Sequence, residues 1–198
     1  MAITSDEAIC NIALRKLREQ PIASLLEESE PARLCATLFE PARDALLMRH
    51  PSNFSMTRQQ LTQQATAPLF EWDYEYLLPT SPFCLRAYAL WHNGAYRKSG
   101  WQVENRAGQR VIVSNWDDDV YLLYIARITD ASMFSASFVE ALSDYLALQL
   151  AFPLTRDKAQ TEQREAIFKL SWREHKNADA GEGFPLEPDD GAFVSIRG

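Results

Sequence analysis

The spacing of apolar residues changes twice along this chain, and that change restricts it to a fold mixing helices with sheet. Near the start, Ile9, Ile12, Ala13 and Leu17 recur at the interval of one helical face. In the middle, Phe70, Trp72, Tyr74 and Tyr76 alternate with Glu71, Asp73 and Glu75, the period-two pattern of a strand with one buried and one wet face. After Thr129 the helical interval returns in Phe138, Leu142, Tyr145, Leu146 and Leu150.

Local signals mark the ends of these segments. Thr4 and Glu7 fit a capping box for the first helix, and Pro21 stops it. Ser29 caps a second helix with Pro31 in its first turn, Pro41 predicts a kink within it, and Pro51 ends it. "CLRAYALW" and "WQVENRAGQRVIVSNWDDDVYLLYIARI" read as strands joined by tight turns at "RAG" and "NWDDD". Asp130 or Ser135 caps the next helix, which Pro153 closes. A last helix from Thr155 to about Asn177 carries Ala159, Ala166, Ile167 and Leu170 as its apolar residues. The expected class is α+β: a helical bundle formed by residues 3–50 and 130–178, an inserted small β-rich domain at 53–127, and an extended C-terminal arm at 181–198. All of it reads as one domain, because each helical stripe needs a partner to bury it.

Composition narrows the function. The 198 residues are 46% hydrophobic and 24% charged, ordinary for a globular protein, with a net charge of −7. An acidic surface opposes binding to phosphate backbones, and no run of Lys or Arg offsets it. Cys10, Cys35 and Cys84 are odd in number, far apart and without a CxxC pair, which argues against a disulfide framework and a structural zinc site. The opening residues lack a secretory layout and no apolar run is long enough to span a membrane, so a soluble protein made in a cytoplasm is expected.

No catalytic motif emerges. Asp117, Asp118 and Asp119 are sequential neighbours, which seldom converge on one point, and Asp is favoured in turns, so the triplet reads as a turn. His50, His92 and His175 are solitary, with capping or solvent exposure as their expected roles. There is no GxSxG, GxGxxG or phosphate-binding loop, and no cofactor is expected. The aromatics of the middle segment read as the core of a small sheet rather than a stacking platform. Phe184 and Phe193, in an acidic segment with no core of its own, suit docking onto another chain.

The stretches "AICNIALRKLREQPIASLLEESEPARLC", "FEPARDALLMRHPSNF" and "YIARITDASMFSASFVEALSDYLALQLAFPLT", with the closing "DDGAFVSIRG", resemble the tail tubular protein A family of short-tailed phages and prophages. The resemblance covers nearly the whole chain in the order and spacing of long segments. It departs at Ser52, where the family often has a second aromatic, and is loose over residues 54–120. It implies a head-to-tail adaptor: a homo-oligomeric, dodecameric ring beneath the portal protein. Such a ring continues the DNA channel without sequence-specific binding and supports the tail nozzle (tail tubular protein B-like) and fibres. The location implied is the virion tail, after assembly in the host cytoplasm.

On this reading the functional residues lie at interfaces. Phe184, Phe193, Ile196 and Arg197 are the candidates for portal docking, as apolar anchors with one charged partner. Arg164, Lys169 and Arg173, on the charged face of the last helix, are candidates for the subunit interface. The alternative is an envelope polysaccharide hydrolase using a carboxylate pair drawn from Glu71, Asp73, Glu75 and Asp117. It requires two carboxyl groups across a groove, roughly 5 Å apart for retention or 6.5–9.5 Å for inversion.

Overall fold

The computed structural model describes residues 5–117 and 119–182. They divide into two compact units, one formed by residues 5–54 and 128–182 and the other by Ser55–Arg127.

The first unit holds four helices. Helix α1 (Asp6–Lys16) is capped by Ser5, whose Oγ accepts from the Ala8 amide at 3.2 Å. The cap therefore sits one residue beyond the expected Thr4, which lies outside the described residues. Past the end of α1 the Asn11 side chain pins the loop, accepting from the Ile22 amide at 2.8 Å and donating to its carbonyl at 2.9 Å. Helix α2 (Glu30–Arg49) begins as expected, with Ser29 Oγ accepting from the Ala32 amide at 3.3 Å and Pro31 in the first turn. It runs through Pro41 as a single helix and is capped by His50.

Helix α3 (Ala136–Thr155) packs against each of the other three. Ser135 is its cap, while Asp130 caps a separate 3-10 turn, Ala131–Met133. Phe138, Leu142, Leu146 and Leu150 of α3 are fully buried, with Ile9 and Leu14 of α1 and Leu46 and Leu47 of α2 among the other core residues. Each buried side chain of this size contributes about 1.5–3 kcal/mol, so this layer dominates the stability of the unit. A polar pin joins α1 to α3: Lys16 Nζ donates to Asp144 Oδ1 at 2.6 Å, Glu140 Oε1 at 2.7 Å and Ser143 Oγ at 2.9 Å. Arg156 then takes a left-handed backbone, and Asp157 Oδ1 accepts from the Ala159 and Gln160 amides to start helix α4 (Lys158–Glu182). Gly181 and Glu182 are the last residues of α4, so any arm begins no earlier than residue 183. Residues 183–198 lie outside the described residues.

The second unit contains strands β1 (Met56–Gln60), β2 (Tyr74–Leu77), β3 (Cys84–His92), β4 (Ala95–Arg97), β5 (Trp101–Arg106), β6 (Gln109–Ser114) and β7 (Tyr121–Ala126). They form two antiparallel sheets, in the orders β1-β7-β3-β4 and β2-β6-β5. Asn93–Gly94 and Ala107–Gly108 close the β3–β4 and β5–β6 hairpins, with positive φ at both residues of each turn. That is the geometry of a two-residue turn matching the twist of its strands, and it makes "RAG" a hairpin as read from sequence.

The expectation of a helical bundle with a small β-rich domain is thereby corrected. Seven strands in two sheets bury a core of their own, including Tyr76, Leu90, Ile112, Leu122, Tyr124 and Ile125. "NWDDD" does not close a hairpin: β6 and β7, which it joins, belong to different sheets. Both strands end in nearly continuous buried runs, Val111–Ser114 and Leu122–Ala126, the mark of strands covered on both faces. Arg110 ties the sheets together by donating to the Cys84 carbonyl at 2.6 Å. The alternating Phe70–Tyr76 stretch is a strand only from Tyr74. Glu71 has φ 74°, which breaks the extension, and Leu69 and Phe70 are exposed.

Candidate functional site

Helix α4 carries the three residues expected at a subunit interface, and it treats them differently. Lys169 and Arg173 are exposed, with Lys169 paired to Glu165 one turn back at 2.6 Å. Arg164 is half-buried and donates through Nη2 to the carbonyl of Lys16, so it holds the end of α1 within the same subunit. Phe184, Phe193, Ile196 and Arg197 lie outside the described residues.

The buried face of α4 is also not the expected one. Phe168, Ser171, His175 and Asp179 face inward, whereas Leu170, Ala159 and Ala166 are exposed. Three of the four inward residues are polar, so hydropathy alone points to the wrong face. Their polarity is matched by partners. His175 Nε2 lies 2.9 Å from Ser52 Oγ and its Nδ1 lies 3.0 Å from Ser137 Oγ. Asp179 Oδ1 accepts from the Asn53 amide at 2.8 Å, Oδ2 lies 3.0 Å from His50 Nε2, and the Asp179 carbonyl accepts from Asn53 Nδ2 at 2.7 Å. His175 is buried and His50 is paired, which corrects the expected solvent exposure, although His50 does cap α2. Burial lowers the affinity of His175 for a proton; Asp179 opposes that shift and His50 adds to it.

Serine beside histidine and aspartate invites comparison with a nucleophilic triad, and the geometry is against it. Ser52 and His175 have no exposed surface, and the Asp179 carboxylate bonds to His50 and Asn53 rather than orienting His175. What the cluster does is tie α4 to the chain just before residue 55 and again at the start of α3. Those are the two stretches that flank the β unit in sequence.

In the β unit the carboxylates expected for hydrolysis have different surroundings. Glu75 is buried and ion-paired with Arg106, while Glu71, Asp73 and Asp117 are exposed. Asp119 has a left-handed backbone and accepts from Gln60 Nε2 at 3.1 Å, a turn role; Asp118 lies outside the described residues. Three clefts on this unit have no carboxylate among the described residues of their walls. The largest, about 540 Å³, lies by Arg110 and Pro79.

The other two clefts lie on opposite faces of the β3–β4 hairpin, because paired residues share a face and successive residues alternate. On one face Trp91, paired with both Tyr96 and Tyr121, joins Arg58 around about 360 Å³. Trp91 and Tyr121 are each 37% exposed, so these aromatics are not the core residues that sequence suggested. The Arg58 Nε donates to the Tyr96 hydroxyl at 3.0 Å. On the other face His92, Asn93, Arg97, Lys98, Ser99 and Trp116 line about 430 Å³.

The cysteines are free and buried. Cys10 and Cys35, distant in sequence, are hydrogen-bonded neighbours on α1 and α2, and that bond together with burial raises the Cys10 thiol. Burial pushes Cys84 up to about 11, with Arg110 opposing. Among the described residues no group of three or more His, Cys, Asp or Glu side chains could hold a metal ion, and no helix is long and apolar enough to cross a membrane. In comparisons with known proteins, no family model matches the chain and no curated protein matches it.

Proposed function

We propose that this chain is a structural head-to-tail adaptor of a short-tailed phage or prophage, acting by assembly and not by catalysis. The observation that carries the reading is where the family-like segments fall. Residues 8–35, 39–54 and 124–155 contain most of α1, α2 and α3, whose apolar faces close on one another in a single compact unit. Three stretches distant in sequence, each with the family-like order and spacing, thus share one core in this chain.

In this reading the subunits form a dodecameric ring below the portal protein, continue the DNA channel, and carry the nozzle and fibres of the virion tail. Lys169 and Arg173 on the outer face of α4 contact a neighbouring subunit, and Phe184, Phe193, Ile196 and Arg197 dock on the portal. The net charge of −7 suits a conduit, since like charge lets a duplex slide.

The test is negative-stain electron microscopy of the purified chain mixed with the portal ring from the same genome. A second layer on the portal, lost when residues 183–198 are deleted, is the expected result. Bare portals beside free, folded subunits would overturn the adaptor reading. Full assembly by the deletion variant would remove the docking role of Phe184, Phe193, Ile196 and Arg197.

A further inference from the structure

The β unit carries an apolar projection and an apolar recess on different sheets. The projection is the loop leading into β2, where Leu69 and Phe70 are 87% and 76% exposed. A single exposed Leu is common, but two adjacent large apolar side chains held in water mark a contact surface. Both ends of the loop are fastened: the Gln64 amide donates to the Glu75 carbonyl at 2.8 Å, and the Asp73 amide donates to Asn115 Oδ1 at 3.0 Å. At the tip the Trp72 amide donates to the Phe70 carbonyl at 2.9 Å across Glu71, whose φ of 74° is that of a tight three-residue turn. The chain thus commits backbone strain to a turn whose apolar residues bury little in their own subunit.

The recess is the cleft of about 360 Å³ on the β1-β7-β3-β4 sheet. Trp91 of β3, Tyr96 of β4, Tyr121, Leu122 and Leu123 of β7 and Arg58 of β1 line it, and the loop of the same subunit contributes no wall. The Trp91 and Tyr96 rings meet edge to face with centroids 4.8 Å apart, and the Tyr96 hydroxyl is engaged by Arg58 Nε. Such a wall suits an apolar side chain better than a sugar, whose ring hydroxyls each need a partner. Trp, Tyr and Arg gathered around one recess are also the residues that dominate protein–protein contacts.

We infer that Leu69 and Phe70 of one copy of this chain insert into the Trp91–Tyr121 recess of a second copy. Phe70 packs against the aromatic rings, where edge-to-face and offset contacts add to the gain from burial. Glu71 is exposed beside the apolar pair and Arg58 is exposed at the recess, so opposite charges meet and fix the orientation. Projection and recess are different patches of one surface, which makes the contact heterologous: it repeats from copy to copy and closes as a ring. Ring closure rests on the adaptor reading, whereas the pairwise contact stands on the β unit alone.

The test is sedimentation velocity of the full-length protein, without portal, over a concentration series. The natural protein should self-associate with a Kd no weaker than roughly 0.1 mM. L69S/F70S and W91S should each weaken that association roughly tenfold or more. An equimolar mixture of these two variants keeps one intact projection and one intact recess, so it should form heterodimers of natural affinity and nothing larger. If W91S does not fold, the surface variants E71R and R58E take its place: each alone should associate more weakly, and mixing them should restore association. A monomeric natural protein, association unmoved by L69S/F70S, or a mixture no better than its separate components would each overturn the contact. Association lost on deleting residues 183–198 but kept in L69S/F70S would give the recess to that segment and also overturn it. Bare portals beside complementing heterodimers would remove the adaptor reading and leave the contact standing.

Discussion

Replacing Lys16 by Met leaves a buried carboxylate without its partner. Lys16 Nζ lies 2.6 Å from Asp144 Oδ1, on a side chain only 4% exposed, and 2.7 Å from Glu140 Oε1, on a side chain 58% exposed. The Glu140 pair is screened by water and contributes at most about 1 kcal/mol. Asp144 sets the cost, because breaking a buried pair by removing one partner costs about 3–5 kcal/mol. Lys16 is itself 18% exposed, so water can reach part of the gap it leaves. The lower end, about 3 kcal/mol, is therefore expected. With a urea m-value of about 3 kcal/mol/M, the midpoint should fall by about 1 M, followed by far-ultraviolet circular dichroism, which the helices dominate. The double variant K16M/D144L removes both charges and should recover to within about 1 kcal/mol of the natural protein. A single-variant shift below about 0.2 M, or a double variant no better than the single, would refute the assignment of the loss to a stranded Asp144.

Three further outcomes follow from the geometry. Burial holds the His175 imidazole below its ordinary value, so on acidification the unfolded chain binds a proton first. Stability should be full above about pH 6.5 and decline as pH falls below it; urea midpoints across that range should show the decline reduced in H175Q, and an unchanged slope would count against it. Asp179→Ala removes the acceptor for the Asn53 amide and the partner of His50, and a loss of about 2 kcal/mol is expected in the same assay. Gly100→Ala puts a Cβ on a φ of 81° and against the Trp116 ring, and should cost at least about 1 kcal/mol. Tryptophan fluorescence reads that loss directly, since Trp72, Trp91, Trp101 and Trp116 all lie in the β unit.

Some local signals carry over directly into the fold. Ser29 and Ser135 cap their helices because a cap is a bond between residues two or three apart, and Ala107–Gly108 closes its hairpin for a similarly local reason. Failures occurred where distant partners decide. The period-two run from Phe70 met a left-handed Glu71, and the apolar residues of α4 were outranked by Ser171, His175 and Asp179, whose partners lie on the 50–54 segment and on α3. Arg164 looks like any exposed arginine until the Lys16 carbonyl is placed beside it. The hairpin cleft had no linear signature either, because Trp116 reaches Arg97 and Lys98 only through folding of the β unit.

The sequence by itself determined the α+β class, the order of helical and extended segments, the bounds of α2, and a net negative charge. These follow from periodicity, capping and net charge, each set by neighbours along the chain. Only the tertiary structure decided that β6 and β7 part into different sheets, that Cys10 meets Cys35, and that His175 is buried between two serines. A strand carries no label for the sheet it joins, and a polar side chain can be buried only where a partner distant in sequence satisfies its hydrogen bonds.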